Sequence, residues 1–296
     1  MDVAATAPAG RQRVALVTDG GACVPDGPGL AVTPLHVLVG DRRGARSREI
    51  TPGELVDIMR AGRERVSTSG VSPGELVAAY RDLASRTGCR SVVSAHLSGR
   101  VSGTVEAARQ AAAVVADELD VRVLDSGTFG MALGWAVQDG AALAAGGGTV
   151  EEVLHLVGHR AASCRTWFYL DTLEHLRRGG RVGRAQAVVG SALAIKPLLT
   201  ITDGEVAVAE RVRTRSRALA RLVDLGVAAC DTIVERGGTA RVAVHQLDAI
   251  AGADQVAADV SSRTGVVPTV VELDPGMGVH AGPGTLGLVV GEVGER

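Results

Sequence analysis

Short apolar runs alternate with helix-like segments through the first half of the chain, and turn signals separate them. The run 14–18 ends in Asp19-Gly20-Gly21, and a second run covers 32–39. Shorter runs at 91–94 and 121–124 predict two further strands. Because parallel strands need long crossover connections, this alternation predicts a parallel sheet with helices on both faces.

Three helix starts carry the same capping signature, a hydroxyl residue followed three positions later by glutamate. The pairs are Thr51 and Glu54, Ser72 and Glu75, and Thr149 and Glu152. We predict helices from each of these starts, the second ending near 86. The Ala-rich segments 103–118 and 131–145 predict two more helices.

The second half has a different pattern. Runs 198–201 and 205–209 flank Thr202-Asp203-Gly204, a tight hairpin signal. Helices are expected at 215–235 and 251–263, and strands at 166–170, 241–245, 268–273 and 286–290. The predicted fold is therefore α/β, with a parallel-sheet domain at 13–148, a mixed-sheet domain at 149–296 and a disordered tail at 1–12.

Composition narrows the function class. Apolar residues make up 46% of the chain and aromatic residues 2%, so the core must be aliphatic. The net charge of −2 gives no reason to expect nucleic acid or an acidic membrane as partner. The only lysine, Lys196, is not in a phosphate-loop context, and the four scattered cysteines suggest neither zinc nor disulfides. With no signal peptide, membrane-length run or metal site recognised, we predict a cytoplasmic protein.

Two polar, Gly-rich segments are candidates for binding an anion. In the first, Thr68 lies just ahead of the Ser72 cap; in the second, Ser102, Gly103 and Thr104 begin a predicted helix. Free N–H groups and the helix dipole favour an anion at such an end. Hydroxyls of Thr68 and Ser102 add donors for a carboxylate, and the alternative is that both are plain cap and turn residues.

Two further segments carry charge or a titratable ring. Segment 176–184 places four arginines, including Arg181, around three glycines, which suits phosphate or carboxylate contact or an ordinary solvated loop. Segment 280–284 is predicted to form a sharp loop between the last two predicted strands. His280 in that loop is either a structural hydrogen-bond partner or a group that contacts a phosphate or donates a proton.

In order and spacing, these segments resemble the DegV family, the fatty-acid-binding subunits of bacterial fatty acid kinase. The resemblance runs from 14 to 290. It rests on Val17-Thr18-Asp19, Thr68-Ser69, Leu97 to Thr104, Val123-Leu124-Asp125-Ser126, Asp171-Thr172-Leu173-Glu174, Gly179-Gly180-Arg181, Ile195-Lys196-Pro197, Arg213-Thr214, and His280 to Gly284.

The resemblance implies a two-domain fold with one long-chain fatty acid buried in a tunnel between the domains. It implies that Thr68 and Ser102, with the adjoining Gly103 and Thr104, bind the carboxylate. It also implies that His280, Arg181 and Arg213 support phosphate transfer or docking of a separate, ATP-binding kinase subunit. No independent catalysis and no cofactor other than the fatty acid ligand are expected.

The sequence departs from the family pattern beside the expected carboxylate site. Gly70-Val71 replaces Q-P, Gly99 replaces a serine, and Gly20 replaces the serine after Asp19. Two other functions stay open. One is a free-standing acyl hydrolase or transferase that uses Ser102 with His280; the other is a nucleotide-binding or regulatory α/β protein that never binds lipid.

Overall fold

The computed structural model describes residues 14–40, 49–188 and 196–294. The expected tail 1–12 and Ile195 lie outside these residues. In the described part of the chain the strands are β1 Val14–Asp19, β2 Leu30–Thr33, β3 His36–Val39, β4 Val66–Ser69, β5 Ser91–His96, β6 Asp120–Asp125, β7 Arg165–Tyr169, β8 Lys196–Thr202, β9 Glu205–Val212, β10 Ala240–Leu247, β11 Thr269–Glu272 and β12 Thr285–Glu292. The helices are α1 Pro52–Ala61, α2 Pro73–Thr87, α3 Thr104–Val114, α4 Met131–Ala145, α5 Val150–Ser163, α6 Glu174–Arg178, α7 Arg215–Glu235, α8 Ile250–Thr264 and α9 Pro275–Ala281.

The first lobe is built on a four-stranded parallel sheet in the order β2-β1-β5-β6. Leu16 of β1 faces Gly140 of α4, whereas Ser94 of β5 faces the other way and meets Tyr80 of α2. The α4–α5 pair and the α2–α3 pair therefore cover opposite faces. This arrangement confirms the predicted parallel sheet covered by helices.

The second lobe contains a six-stranded sheet in the order β11-β10-β12-β7-β8-β9, in which only the β10–β11 pair is parallel. Helices α7 and α8 pack on one face, and the other face turns towards the first lobe. The hairpin β8–β9 turns through Asp203 and Gly204, both with positive φ as its tight turn requires. The predicted mixed sheet and its hairpin are confirmed.

A segment of the first half joins neither sheet. The predicted single run 32–39 is wrong, because Pro34 interrupts it and lacks the N–H that a continuing strand would need. Past Pro34, β3 leaves the parallel sheet and pairs antiparallel with β4, a strand that the pattern did not predict. We call β3, α1 and β4 the ribbon. It packs on α9 of the second lobe through a cluster that includes Leu55 and Val279.

Two further features differ from the sequence expectations. The interpretation of 280–284 as a loop between strands is wrong at His280, which lies in the last turn of α9. Asp274 caps this short helix by accepting the Gly276 N–H. Helix α5 packs in the core of the first lobe, although the division at 148/149 assigns it to the second domain. The division therefore separates α5 from the sheet that it covers.

Candidate functional site

A narrow cavity of about 120 Å³ lies where the two lobes and the ribbon meet. Its walls come from all three parts. Leu97 and Phe129 belong to the first lobe, Leu35 immediately precedes the ribbon, and Phe168 and Leu170 belong to the second lobe. One water molecule needs about 10–15 Å³ of cavity volume, so the cavity has room for roughly ten water-sized groups. We call it the inter-lobe cavity.

The lining of the inter-lobe cavity is mainly apolar. Side chains of leucine, valine, phenylalanine and methionine form most of the wall, namely Leu35, Leu97, Val101, Phe129, Phe168, Leu170, Leu176, Val206, Leu273 and Met277. The β7–β12 register carries this wall from Leu170 and Thr285 towards Thr166. An apolar group suits this lining better than a highly charged one.

Thr68 of β4 meets His280 of α9 at one end of the cavity, which we call the polar end. The Thr68 Oγ1 and His280 Nε2 atoms are 2.8 Å apart. Burial, reinforced by the positive charge of Arg181, lowers the pKa of His280 to about 4. The ring is therefore neutral at pH 7, and one of its nitrogens carries the only ring proton.

A glycine holds the His280 ring in place. A Cβ built on Gly179 would lie only 2.1 Å from His280 Nδ1, so no larger residue fits beside the ring. The packing is reciprocal, because a Cβ on Gly282 would lie 2.3 Å from Cδ2 of His175. Helices α6 and α9 thus interlock through two glycine–histidine contacts.

Ser102 supplies the second hydroxyl at the polar end. It lines the cavity, and its Oγ lies 2.9 Å from Thr104 Oγ1 and accepts the Thr104 N–H at 3.3 Å. Thr104 is fully buried behind Ser102, and Gly103 is the exposed N-cap of α3; neither lines the cavity. The structure thus brings Thr68, Ser102 and His280 together and leaves Gly103 and Thr104 one layer behind.

The two arginines expected at the site occupy different places. Arg181 lines the cavity, and its guanidinium donates to the Val101 carbonyl at 3.0 Å and to the Gly179 carbonyl at 2.5 Å. It therefore joins the loop that carries Ser102 to the second lobe. Arg213 is exposed in the turn between β9 and α7 and is not part of the cavity wall.

The glycines that depart from the family pattern have local steric reasons. A Cβ on Gly70 would lie 2.9 Å from Thr104 Oγ1, and one on Gly99 would lie 2.7 Å from an Asp125 carboxylate oxygen. That carboxylate accepts the Gly99 N–H at 3.0 Å. Gly70 and Gly99 thus allow close packing around Ser102. The hydroxyls of Thr68 and Ser102 still lie at the cavity.

Sequence reasoning missed a buried chain of hydrogen bonds in the first lobe. Asp19 meets His96 at 2.8 Å, His96 meets Ser94 at 2.7 Å, and Ser94 meets Tyr80 at 2.7 Å. All four side chains are completely buried, so a substrate cannot reach this Ser–His–Asp series. Asp19 also accepts the Leu97 N–H at 3.2 Å, which anchors the loop leading to Ser102. Alternation of residues on β5 was the available signal, since Ser94 and His96 share one face.

His245 was also missed, and it lines the inter-lobe cavity at the level of Gly287 and Phe168 in the second sheet. Its Nε2 accepts the Met131 N–H at 2.9 Å, so a histidine of the second lobe caps the first turn of α4 in the first lobe. Burial lowers the pKa of His245 to about 4, which keeps the ring neutral and able to accept. In the sequence His245 stands between Val244 and Gln246 in a predicted strand, and no motif marks it.

The acyl hydrolase alternative needs Ser102 and His280 to act on each other. In the structure the Ser102 hydroxyl is hydrogen-bonded to Thr104 and the His280 ring to Thr68, so the two do not act on each other.

His155 and His159 have H-x-x-x-H spacing on α5, a pattern overlooked in the sequence, and their stacked rings have centroids 6.3 Å apart. Within the described residues no group of three or more potential ligands could hold a metal ion. No helix in the same part of the chain has the length and apolarity to cross a membrane.

Comparisons with known proteins agree along nearly the whole chain. The family model described as "Uncharacterised protein, DegV family" matches residues 13–292. A DegV domain-containing protein of Streptomyces coelicolor is 40% identical over 290 residues, covering 94% of this chain and 98% of that protein.

Solved structures give the same result. A DegV family protein from Thermus thermophilus, described by its fatty acid binding, matches with a TM-score of 0.84 and 30% identity, covering 95% of this chain and 100% of that one. DegV from Bacillus subtilis, described as a fatty acid binding protein, has a TM-score of 0.84 and 28% identity, covering 95% of this chain and 99% of that one. The chain described here therefore belongs to the DegV family.

Proposed function

We propose that this protein binds one long-chain fatty acid in the inter-lobe cavity and presents its carboxylate to a separate kinase subunit. The observation that carries the proposal is a narrow apolar cavity with two hydroxyls and a neutral histidine at one end. Relatives from Thermus thermophilus and Bacillus subtilis are described as fatty acid binding, which supports the same ligand class here.

The alkyl tail supplies the affinity. Each methylene removed from water contributes about 0.8 kcal/mol, so a file of roughly ten contributes on the order of 8 kcal/mol before the ligand's loss of freedom. Affinity should therefore rise with chain length until the cavity is full.

The polar end supplies orientation. A carboxylate removed from water must be satisfied by donors, and the hydroxyls of Thr68 and Ser102 provide them without a direct counter-charge. We place the His280 proton on Nε2, so that the ring donates to Thr68 Oγ1 and the threonine hydroxyl proton stays free for the ligand. The other ring nitrogen, Nδ1, then presents a lone pair, not a buried N–H, to the Gly179 backbone.

This arrangement suits a carrier that hands its ligand to another protein. A carboxylate held by hydroxyls keeps more nucleophilic character than one paired with arginine. Arg213 is exposed and does not line the cavity. In this proposal its role is to contact the kinase. On this view the chain performs no turnover of its own.

Denaturing mass spectrometry of protein purified from cells tests the ligand assignment. We expect a co-purified acid of roughly C14–C18 at close to one molecule per chain. A bound nucleotide with no lipid would support the regulatory alternative and contradict the proposal. Acyl ester turnover by the purified chain alone would support the hydrolase alternative.

A further inference from the structure

Helix α5 carries two exposed histidines, and the proposed function uses neither. His155 and His159 are four residues apart on this helix. Its buried positions are Val153, Val157 and Ala161. With 3.6 residues per turn, a residue two positions after a buried one lies on the opposite side of the helix. The histidine pair therefore lies on the side of α5 that faces away from the core of the first lobe.

The spacing of the two histidines suits a shared metal ion. Side chains four residues apart are neighbours on a helix, with Cβ atoms about 5–6 Å apart. The two imidazole rings have centroids 6.3 Å apart, and their planes are 14° from parallel. An ion bound to two ring nitrogens at about 2.0–2.1 Å each holds those nitrogens about 3–4 Å apart. Small rotations of two exposed side chains reach that separation.

The rings of the pair are free to bind. Neither ring makes a hydrogen bond or an ion pair within the part of the chain that the structure describes. The chain has seven histidines, and the other five are hydrogen-bonded or packed against a neighbour, namely His36, His96, His175, His245 and His280. The pair on α5 is therefore distinct among the histidines in having both rings open to solvent and unengaged.

The charges beside the pair are compatible with a bound cation. Glu151 lies one turn before His155 on the same side of α5 and is exposed. The arginine that follows the pair, Arg160, faces Asp139 at 3.7 Å. Its positive charge is thus balanced away from the two rings.

We infer that His155 and His159 together bind one late first-row divalent cation, of the class of Ni²⁺, Cu²⁺ and Zn²⁺. Imidazole nitrogen suits these ions, whereas Mg²⁺ and Ca²⁺ prefer oxygen. Within the described residues no third potential ligand joins the pair, so water fills the remaining coordination positions. The site does not line the inter-lobe cavity and is independent of the proposed function.

Isothermal titration calorimetry with Ni²⁺ on the full chain tests the site. The variants are His155→Ala, His159→Ala and a spacing control that combines His159→Ala with Ala162→His. Ala162 is exposed, so the control keeps two accessible histidines on α5. They are seven residues and about 10 Å apart along the helix axis, which is too far to share one ion.

We expect the wild type to bind one Ni²⁺ per chain and each of the three variants to lose at least about 10-fold in affinity, because the second nitrogen then no longer binds intramolecularly. Mg²⁺ should not bind at all. Wild-type affinity in the spacing control, or no binding of Ni²⁺ by the wild type, would overturn the site.

Thermal unfolding with and without Ni²⁺ gives an independent readout. The helix fixes the two histidines at chelating distance and the unfolded chain does not, so Ni²⁺ should raise the unfolding midpoint of the wild type. The spacing control should show a much smaller shift. Equal shifts in the two proteins would assign the binding to other groups and contradict the inference.

Discussion

Thr68 and Ser102 are far apart in sequence, and each is oriented by a different partner. His280 fixes the hydroxyl of Thr68, and Thr104 fixes that of Ser102. The sequence indicated these residue types through hydroxyls near glycines and a helix start. It could not show that Gly103 and Thr104 lie one layer away from the cavity, because a difference of one position along a tight turn decides which side chain faces it.

Removing both hydroxyls should weaken fatty acid binding and leave the fold intact. Thr68→Val keeps the shape of a strand residue, and Ser102→Ala keeps the start of α3. Each lost charge-assisted hydrogen bond should cost about 1.5–3 kcal/mol of binding free energy, measurable by titration with palmitate. Unchanged affinity in the double variant would remove both residues from the carboxylate site.

The buried histidines predict a pH dependence of stability. His245 has a pKa of about 4 in the folded protein and an ordinary value of 6.5 when unfolded. Between these values the unfolded chain binds the extra proton, so its contribution to stability is complete above pH 6.5 and is lost as the pH falls towards 4. His280 acts in the same direction.

The variant His245→Gln keeps an acceptor for the Met131 N–H but removes the titrating group. Its free energy of unfolding, measured by urea denaturation between pH 4 and 7, should fall less steeply with acidification, by up to about 1.4 kcal/mol per pH unit. His155→Gln, at an exposed position on α5, is the control and should keep the wild-type slope. Equal slopes in the two variants would refute this role for His245.

At the scale of elements, the sequence predicted the helices that begin with a capping box. It did not predict the helix that depends on tertiary packing. The capping boxes at Thr51, Ser72 and Thr149 are all present in the structure, because their hydrogen bonds form within four residues. Helix α9 was missed because its sequence is rich in glycine, and it is stabilised by contacts with α6 and with all three elements of the ribbon. Local propensity cannot report such contacts.

The interlock between α6 and α9 gives a test at this scale. Gly179 has an ordinary φ of −76°, so alanine is allowed by the backbone, and only the contact with His280 opposes it. Gly179→Ala should displace the ring, break its bond to Thr68, and cost about 1–3 kcal/mol of stability together with fatty acid affinity. Thermal unfolding and palmitate titration would measure both.

Gly74→Ala is a suitable comparison for that variant. Gly74 lies in α2, and a Cβ there would meet nothing within 4 Å. This substitution should leave stability and affinity near the wild-type values. Equal behaviour of the two alanine variants would show that the glycine–histidine contact does not position His280.

At the scale of the whole molecule, several contacts hold the two lobes around the cavity. Arg241 of β10 pairs with Asp139 of α4 and stacks on Trp135, and Ser98 donates to the Gly204 carbonyl of the β8–β9 turn. Periodicity predicted the two sheets separately. It could not predict the cavity between them, or that the ribbon would carry Thr68 across to α9.

Arg213 is exposed and does not line the cavity, so its replacement should affect acyl phosphate formation and leave fatty acid binding unchanged. Arg213→Ala should retain bound fatty acid in mass spectrometry but form acyl phosphate more slowly when kinase and ATP are added. Arg90→Ala, at an exposed position just before the amino end of β5, should behave like the wild type in both assays. Wild-type acyl phosphate formation by the Arg213 variant would exclude it from contact with the kinase.

The central claim is that an alkyl chain lies in the inter-lobe cavity with its carboxylate at Thr68 and Ser102. The most direct measurement is a crystal structure with palmitic acid brominated at its terminal carbon, in which anomalous scattering locates the tail. We predict carboxylate oxygens within about 2.5–3.2 Å of both hydroxyls and a bromine peak in the direction of Thr166 and His245. A bromine peak beside Thr68, or no peak inside the cavity, would contradict the account.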